Sequence, residues 1–297
     1  MLIGKSQICD GDVLDALSTS LEPRFRASAI LSAESTVVKF LLERGMLLKG
    51  YESTVLCDRC EERCEVEVQA ENDRRFFICP TGFIERPVSV TEDDVSCYRF
   101  DFASLCACIV RENNLKSWDD RSNIGQPFSS VANGRKLNLT VAVIYGPYLA
   151  SNVVLSVLAT QKARIGCDVL IVLTAKVDQN KALDGVLAAE GIILATLAEL
   201  LNRRSFNFNL EKNEMLFEIA VKELDDEAWY PHVRLAEVAG VGKEALRKRL
   251  DRFRKTSLDG WKENEDRRSR EVKYHFQFKV VKDILKELWA SSERPAK

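Results

Sequence analysis

The stretch VRLAEVAGVGKEALRKRLDRFRK, residues 233–255, predicts two helices joined by a tight turn. Apolar and small side chains recur at helical spacing as far as Ala239, and Gly240-Val241-Gly242 then separates them from a longer helix of about residues 243–255. A glycine permits the sharp backbone bend that such a turn requires. In the longer helix, Leu246, Leu250 and Phe253 form one apolar stripe, so this face is expected to pack against the first helix.

The rest of the longer helix is strongly basic. Its cationic side chains are Lys243, Arg247, Lys248, Arg249, Arg252 and Arg254. A helix fits the major groove of B-DNA, which is about 12 Å wide, with its N-terminal half over the base edges and its Lys and Arg side chains near phosphates. The pattern therefore predicts contact with double-stranded DNA.

The segment that follows predicts a β-hairpin. A charged tip, residues 263–271, lies between Trp261 and the alternating sequence VKYHFQF. The tip carries Arg267, Arg268 and Arg270, which could reach the DNA backbone or the minor groove. Helices are expected before this unit, at residues 215–224, and after it, at residues 280–289.

Through LAEVAGVGKEALRKRLDRF and the basic hairpin after it, the C-terminal part resembles the winged helix-turn-helix domains of bacterial transcription regulators. The resemblance covers only about the last 80 residues. It implies a winged helix at residues 211–290 that binds specific DNA sequences. We expect a homodimer, because one recognition helix covers only a few base pairs. A further possibility is a winged helix that binds only protein.

Four cysteines form a second pattern, in LCDRCEERCEVEVQAENDRRFFICP at residues 56–80. Cys57, Cys60, Cys64 and Cys79 are separated by two, three and fourteen residues. Four thiolates can complete a tetrahedral zinc site with no open coordination position, so the zinc would be structural. The cluster resembles zinc-ribbon-like modules, although the usual second CxxC is missing. Unligated buried thiols and a redox CxxC are the competing interpretations. The remaining cysteines are interpreted as core residues: Cys9, Cys97, Cys106, Cys108 and Cys167.

The middle of the chain predicts a small parallel α/β unit. Three apolar strands, LTVAVIY (139–145), CDVLIVLT (167–174) and GIILATL (191–197), alternate with helices expected at residues 147–164 and 181–190. Residues 138–202 would sense a small-molecule or protein signal, or dimerise. Residues 1–112 would hold a helix at 27–44, a hairpin of 66–68 with 76–78, the cysteine module and a helix at 101–111. Residues 112–137 are interpreted as a loop or linker. The predicted class is therefore α+β and multidomain, with units at 1–112, 138–202 and 211–290.

A nuclease is the alternative function. Residues 168–201 resemble the second half of restriction-endonuclease-like domains, so the winged helix would target a metal-dependent or degenerate nuclease. Such enzymes hold magnesium with an Asp and an (Asp/Glu)-x-Lys motif. No such motif follows a strand in the expected place, because Asp168 precedes its strand and Lys176 follows it at the wrong spacing. GxSxG, HExxH and GxxxxGK[ST] motifs are also missing, and the chain has only His232 and His275. A non-enzymatic regulator is therefore preferred.

Composition fits this interpretation. The 297 residues carry a net charge of -2, yet residues 243–273 hold twelve Lys/Arg against seven Asp/Glu, so a basic segment is attached to an acidic body. No apolar run reaches the roughly 18–20 residues that span a bilayer, so no membrane partner is expected. The N-terminus does not resemble a secretory signal. One clustered set of cysteines with scattered single ones favours a reducing cytoplasm over a disulfide framework.

Overall fold

The computed structural model describes residues 2–3, 8–57, 60, 64–71, 74–81, 87–118, 128–136, 138–146, 148–149, 154–177, 186–210, 213–264 and 273–291. These residues form a mixed α+β structure with several sheets. In that part of the chain, no helix has both the length and the apolar composition needed to cross a membrane.

The secondary structure alternates between short strands and helices along the chain. The strands are β1 (Leu2–Ile3), β2 (Arg24–Arg26), β3 (Leu47–Tyr51), β4 (Thr54–Leu56), β5 (Glu65–Glu67), β6 (Gln69–Glu71), β7 (Arg74–Phe77), β8 (Val88–Val90), β9 (Ser96–Phe100), β10 (Lys116–Ser117), β11 (Ser129–Lys136), β12 (Leu139–Tyr145), β13 (Tyr148–Leu149), β14 (Val169–Thr174), β15 (Lys176–Val177), β16 (Ile192–Thr196), β17 (Trp229–Pro231), β18 (Trp261–Glu263) and β19 (Tyr274–Gln277). The helices are α1 (Asp10–Thr19), α2 (Ala27–Leu31), α3 (Thr36–Glu43), α4 (Glu92–Val95), α5 (Phe102–Asn113), α6 (Val154–Ile165), α7 (described at 186–189), α8 (Leu197–Asn202), α9 (Glu214–Val221), α10 (His232–Ala239), α11 (Lys243–Thr256) and α12 (Phe278–Ser291).

The N-terminal part contains a four-stranded sheet in the order β1-β2-β9-β3, in which β9 is antiparallel to β2 and to β3. The predicted single helix at residues 27–44 is wrong, because α2 and α3 are separate. Ser35 starts α3: its hydroxyl accepts a hydrogen bond from the Val38 N–H at 2.9 Å and donates one to the Asp10 carboxylate. A serine that caps a helix in this way favours a new helix start over a continuous helix. The predicted helix at 101–111 is confirmed as α5.

The central sheet has the order β10-β11-β12-β14-β16. The parallel arrangement of β12, β14 and β16 confirms the predicted α/β core. The loop prediction for residues 112–137 is wrong where β10 and β11 form. β11 pairs antiparallel with β12 from Ser129↔Tyr145 to Lys136↔Leu139. Its Ser, Asn and Gly residues have low intrinsic strand preference, so pairing with the apolar β12 decides its conformation.

Remote segments share one apolar core. Asn113 is buried, and its amide Nδ2 donates to the carbonyl of Phe206 at 2.8 Å and to that of Ile109 at 2.9 Å. The Tyr145 hydroxyl donates to the carbonyl of Leu17 at 3.0 Å. A single cluster of buried side chains includes residues from the N-terminal sheet, one face of the central sheet and the C-terminal helices. A second cluster covers the opposite face of the central sheet.

The C-terminal part confirms the predicted helices around residues 233–239 and 243–255 as α10 and α11. Gly240 ends α10 with a positive φ of 67°, a conformation that glycine adopts without a steric penalty. β17 and β18 both pair antiparallel with β19, which gives a three-stranded sheet in the order β17-β19-β18. α12 follows it, and its Trp289 packs edge-on against Phe217 of α9, with ring centroids 5.8 Å apart.

Gly260 lies in the connection from α11 to β18, and we expect Gly260→Ala to destabilise the C-terminal part. Its φ is 85°, and an added Cβ would lie 2.5 Å from Cγ1 of Val280. The combined strain and overpacking should lower the free energy of unfolding by about 3 kcal/mol. Urea unfolding measures this loss. Gly45→Ala is the control, because Gly45 also has a positive φ but an added Cβ would meet nothing within 4 Å, so it should cost only about 1 kcal/mol. An equal loss of unfolding free energy in the two variants would show that contact with Val280 does not destabilise Gly260→Ala.

Candidate metal centre and nucleic-acid interface

The four predicted ligand cysteines lie together in the structure. Cys57 directly follows β4 and Cys64 directly precedes β5, and these two strands pair antiparallel. The Cys57 N–H donates to the Cys64 carbonyl at 2.9 Å, which closes the turn that contains Cys60. Cys79 arrives from a second sheet, two residues after the end of β7. Three thiols from one turn and one from a neighbouring sheet therefore meet at a single point.

The distances between the sulfur atoms suit a metal. All four Sγ atoms lie within 4.8 Å of one another. The Cys60 and Cys64 sulfurs are 3.3 Å apart, and those of Cys64 and Cys79 are 3.7 Å apart. A tetrahedron with metal–sulfur bonds of about 2.3 Å has sulfur–sulfur edges of about 3.8 Å. The four cysteines can therefore hold a metal ion after only small adjustments.

Hydrogen bonds within the cluster perturb the thiols unequally. The Thr81 hydroxyl lowers the pKa of Cys79 to about 7. The backbone and then the thiol of Cys64 lower the pKa of Cys60, whereas hydrogen bonding to Cys60 raises the pKa of Cys64 to about 12. Cys64 therefore keeps its proton, because a thiolate at this spacing would be repelled by neighbouring thiolates. A divalent cation would remove that repulsion.

The surroundings of the cluster are a very small apolar core. Its buried members besides Cys57 and Cys79 are Val66 and Phe77, with three partly buried valines packed against them: Val55, Val88 and Val90. The predicted hairpin of residues 66–68 with 76–78 is wrong. Val66 pairs with Val55, and the strand that pairs with β7 is β6, from Gln69↔Phe76 to Glu71↔Arg74. β5 pairs instead with β4, the strand on the other side of the Cys57–Cys64 turn, and the hydrogen bond between Cys57 and Cys64 continues this pairing.

Among the other cysteines, Cys97 and Cys108 are buried as predicted, and Cys106 and Cys167 are half-buried. Cys9 is exposed, so its assignment to the core is wrong. It lies at the N-terminus of α1, where its N–H and its thiol both donate to the Asp12 carboxylate, at 3.0 and 3.1 Å. Local capping therefore accounts for Cys9 without burial.

The second candidate site is the outer face of α11. Leu246 and Leu250 are buried against the rest of the C-terminal part. Five predicted contact residues are exposed: Lys243, Arg247, Lys248, Arg249 and Arg252. The amphipathic pattern of α11 thus separates an apolar inner face from a basic outer face.

The exposed cations of α11 differ in their pairing. Arg247 forms an ion pair with Glu244 at 2.7 Å, and Arg249 forms one with Glu287 of α12 at 3.6 Å. Among the residues that the structure describes, no carboxylate forms an ion pair with Lys243, Lys248 or Arg252. These three side chains are therefore available to an anionic partner from solution.

Arg254 is set apart from the other predicted contacts. It is half-buried, and its guanidinium carbon lies 4.3 Å from the ring centroid of Tyr274 and 5.4 Å from that of Trp261. It therefore packs α11 onto the three-stranded sheet through cation–π contacts instead of facing outward. Lys255 is exposed instead, although the sequence interpretation omitted it. The helical repeat is the missed signal, because residues seven apart, such as Lys248 and Lys255, lie on the same face.

The structure confirms the two strands of the hairpin that is predicted after α11. β18 and β19 pair from Trp261↔Phe276 to Glu263↔Tyr274, and the rings of Trp261 and Tyr274 pack edge-on at 5.7 Å. Its predicted contact residues Arg267, Arg268 and Arg270 lie outside the described residues. Lys262 is exposed on β18, with its Nζ 5.0 Å from the Trp229 ring centroid.

The two histidines belong to the C-terminal part. Burial, followed by the charge of Arg247, lowers the pKa of His232 at the start of α10. Burial and then Lys262 lower the pKa of His275 on β19. Because the ordinary histidine pKa is about 6.5, both imidazoles are mainly neutral at pH 7 in the free protein.

Asp168, the acid considered for a nuclease, has a structural partner. Its Oδ2 accepts from the Thr140 N–H at 2.8 Å and from the Thr140 hydroxyl at 2.7 Å. The sequences of β11 and β12 contain no Asp or Glu. Asp168 therefore joins the loop before β14 to the start of β12. The side chain of Lys176 is outside the described part.

No protein family, curated protein or solved structure matches the chain.

Proposed function

We propose that this protein is a sequence-specific, double-stranded DNA-binding transcription regulator, with a winged helix-turn-helix at residues 211–290 and a structural zinc ion at Cys57, Cys60, Cys64 and Cys79. The observation that carries the proposal is the exposed basic surface of α11, where Lys243, Lys248 and Arg252 are unpaired within the described structure. Phosphate contacts supply much of the affinity of proteins for DNA. Lys248 and Arg252 are four residues apart, so they lie one turn apart on the side of α11 opposite Leu246 and Leu250, where they could contact neighbouring phosphates.

The order of elements supports the same function. α9, β17, α10, α11, β18 and β19 follow one another, so the helix that bears the cations is the second of a tight helix pair and leads into a β-ribbon. In winged helix-turn-helix proteins this second helix enters the major groove. Lys262 extends positive charge from α11 onto the ribbon.

Zinc would stabilise the cysteine module. Four thiolates fill a tetrahedral site and leave no position for substrate, so this zinc would act in folding. The small apolar core beside the cluster supports that role, because so few buried side chains stabilise a separate sheet weakly.

The central sheet contacts the first helix of the pair, which is consistent with a sensing or dimerisation role. The Asn138 amide Nδ2 donates to the Val238 carbonyl of α10 at 3.2 Å. A crevice beside this contact is lined by groups from both parts, including Asp168 and Arg234. A homodimer would present two copies of α11 to two half-sites.

The two alternatives have less support. A nuclease would need carboxylates near its metal ions, and β11 and β12 provide none, while Asp168 is bound to Thr140. A winged helix that binds only protein would not need unpaired cations on the outer face of α11.

Fluorescence anisotropy with duplex DNA tests the proposal. We expect Lys248→Ala combined with Arg252→Ala to weaken duplex binding and to reduce the slope of log affinity against log salt by about one for each phosphate that is no longer neutralised. Lys39→Ala combined with Arg203→Ala is the control, because these two residues are exposed, lie outside α11 and carry the same total charge. Unchanged duplex affinity in the double variant would overturn the assignment. Cleavage of the duplex with magnesium or manganese, abolished by Asp168→Ala, would favour the nuclease.

A further inference from the structure

A groove of about 1020 Å³ lies beside the central sheet, away from α11. One wall is the C-terminal half of α6, and the floor is formed by β10, β11 and the start of β12. α6 and the buried residues near it cover the inner strands, where Leu158 packs with Ala142 and Ile144. β10 and part of β11 extend beyond the area that α6 covers, and the groove lies over this uncovered part of the sheet.

Strand register places polar side chains on the floor of the groove. Lys116 is opposite Asn133, and Asn133 is opposite Ala142. Arg135 is opposite Thr140 on the same pair of strands. Residues directly opposite in an antiparallel pair point to the same face of the sheet, so Lys116, Asn133 and Arg135 share the face that α6 covers further in.

The groove is positively charged. Lys116 and Arg135 on the floor and Arg164 on α6 are all exposed and line it. The described residues that line the groove include no Asp or Glu. Among the described residues, no carboxylate forms an ion pair with any of the three cations. Three cations that line one groove without a counter-charge favour a ligand carrying negative charge.

One further group indicates that the ligand also has a planar part. Trp118 lines the same groove and is half-buried against the second core cluster, so its indole is held in place as a stacking surface.

We propose that this groove binds a nucleotide, with the phosphate held by Lys116, Arg135 and Arg164 and the base stacked near Trp118. The volume is that of sites for small molecules, which span about 300–1,000 Å³. The site would supply the signal for a sensing role of the central sheet. It does not depend on the outer face of α11, so failure of DNA binding and failure of nucleotide binding are distinguishable.

Calorimetry and thermal unfolding of the full chain test this proposal with AMP, GMP, CMP and UMP, each compared with its nucleoside and with inorganic phosphate. We expect at least one nucleotide to bind and to raise the midpoint of thermal unfolding. Its nucleoside should bind at least tenfold more weakly, and inorganic phosphate should compete weakly for the site. Arg135→Ala combined with Arg164→Ala should weaken nucleotide binding by at least tenfold.

Lys39→Ala combined with Arg203→Ala is the matched control. Both residues are exposed and do not line the groove, and their substitution removes the same total charge. The control should bind the nucleotide as the unmodified chain does. Three results would overturn the proposal: no nucleotide binds, the nucleoside binds as tightly as its nucleotide, or the Arg135/Arg164 variant retains full affinity. Binding of single-stranded oligonucleotides without any binding of the four mononucleotides would also overturn it.

Discussion

Cys79→Ser should purify with almost no bound metal, whereas the unmodified chain should carry about one zinc ion per molecule. Cys79 is the only ligand that arrives from the sheet of β6, β7 and β8, so its loss breaks the link between that sheet and the Cys57–Cys64 turn. Zinc binding and folding are coupled in small modules, with apparent binding free energies of about 10–16 kcal/mol. The segment 54–90 should therefore lose its protection from proteolysis.

Elemental analysis and limited proteolysis measure these effects, and a zinc chelator applied to the unmodified chain should reproduce the proteolysis pattern. Cys9→Ser is the control, because Cys9 is exposed on α1 and a serine hydroxyl can still donate to Asp12. The control should retain its metal and its protection. An unmodified chain that purifies from zinc-supplemented medium with a metal ratio near zero would contradict the structural zinc.

The double charge reversal Lys248→Glu with Arg252→Glu should weaken duplex DNA binding by about 100-fold or more. Both side chains are exposed on the outer face of α11, and the described structure gives neither an ion-pair partner. Each charge-assisted hydrogen bond to a phosphate contributes about 1.5 kcal/mol or more, and each 1.4 kcal/mol is a factor of ten in affinity. Repulsion between the new carboxylates and the phosphates weakens binding further. Anisotropy titrations at several salt concentrations measure the change.

Lys39→Glu with Arg203→Glu changes the net charge by the same amount at exposed positions away from α11. This control separates a local contact from the general effect of making the chain more acidic, and its affinity should fall only slightly. Equal decreases in affinity in the two double variants would mean that α11 does not contact the duplex. Circular dichroism should be unchanged in both, because neither pair is buried.

The sequence predicted correctly the features that depend on periodicity or spacing within one short segment. The alternation of apolar and basic residues in 243–255 is enough to predict α11, because helix periodicity is local. The cysteine spacing likewise predicts which four thiols meet, because a CxxC turn and a following ribbon bring ligands together over few residues. Gly240 marks the end of α10 for the same local reason.

Predictions failed where partners are remote or where two local patterns compete. Residues 129–136 contain Ser, Asn and Gly and resemble a loop, yet they form β11 because β12 supplies the hydrogen bonds. Val66 is predicted to pair with the strand at residues 76–78, yet it lies opposite Val55, because β4 and β5 flank the cysteine turn and pair with each other. The sequence does not distinguish Arg254 from the other cations of α11, but cation–π contacts with the rings of Trp261 and Tyr274 keep its guanidinium half-buried.

By itself, the sequence determined the helix pair, the parallel strands and the identity of the cysteines that cluster, since each depends on periodicity or spacing within a few tens of residues. Only the tertiary structure decided which cations remain free and where the groove beside α6 lies. The set of cations that α11 offers to a partner therefore differs from the set that the sequence suggests. Arg254 is half-buried, Lys255 is exposed, and Arg247 and Arg249 already have carboxylate partners. The physical reason is that pairing and burial depend on side chains that approach from distant parts of the chain, and no local pattern encodes that approach.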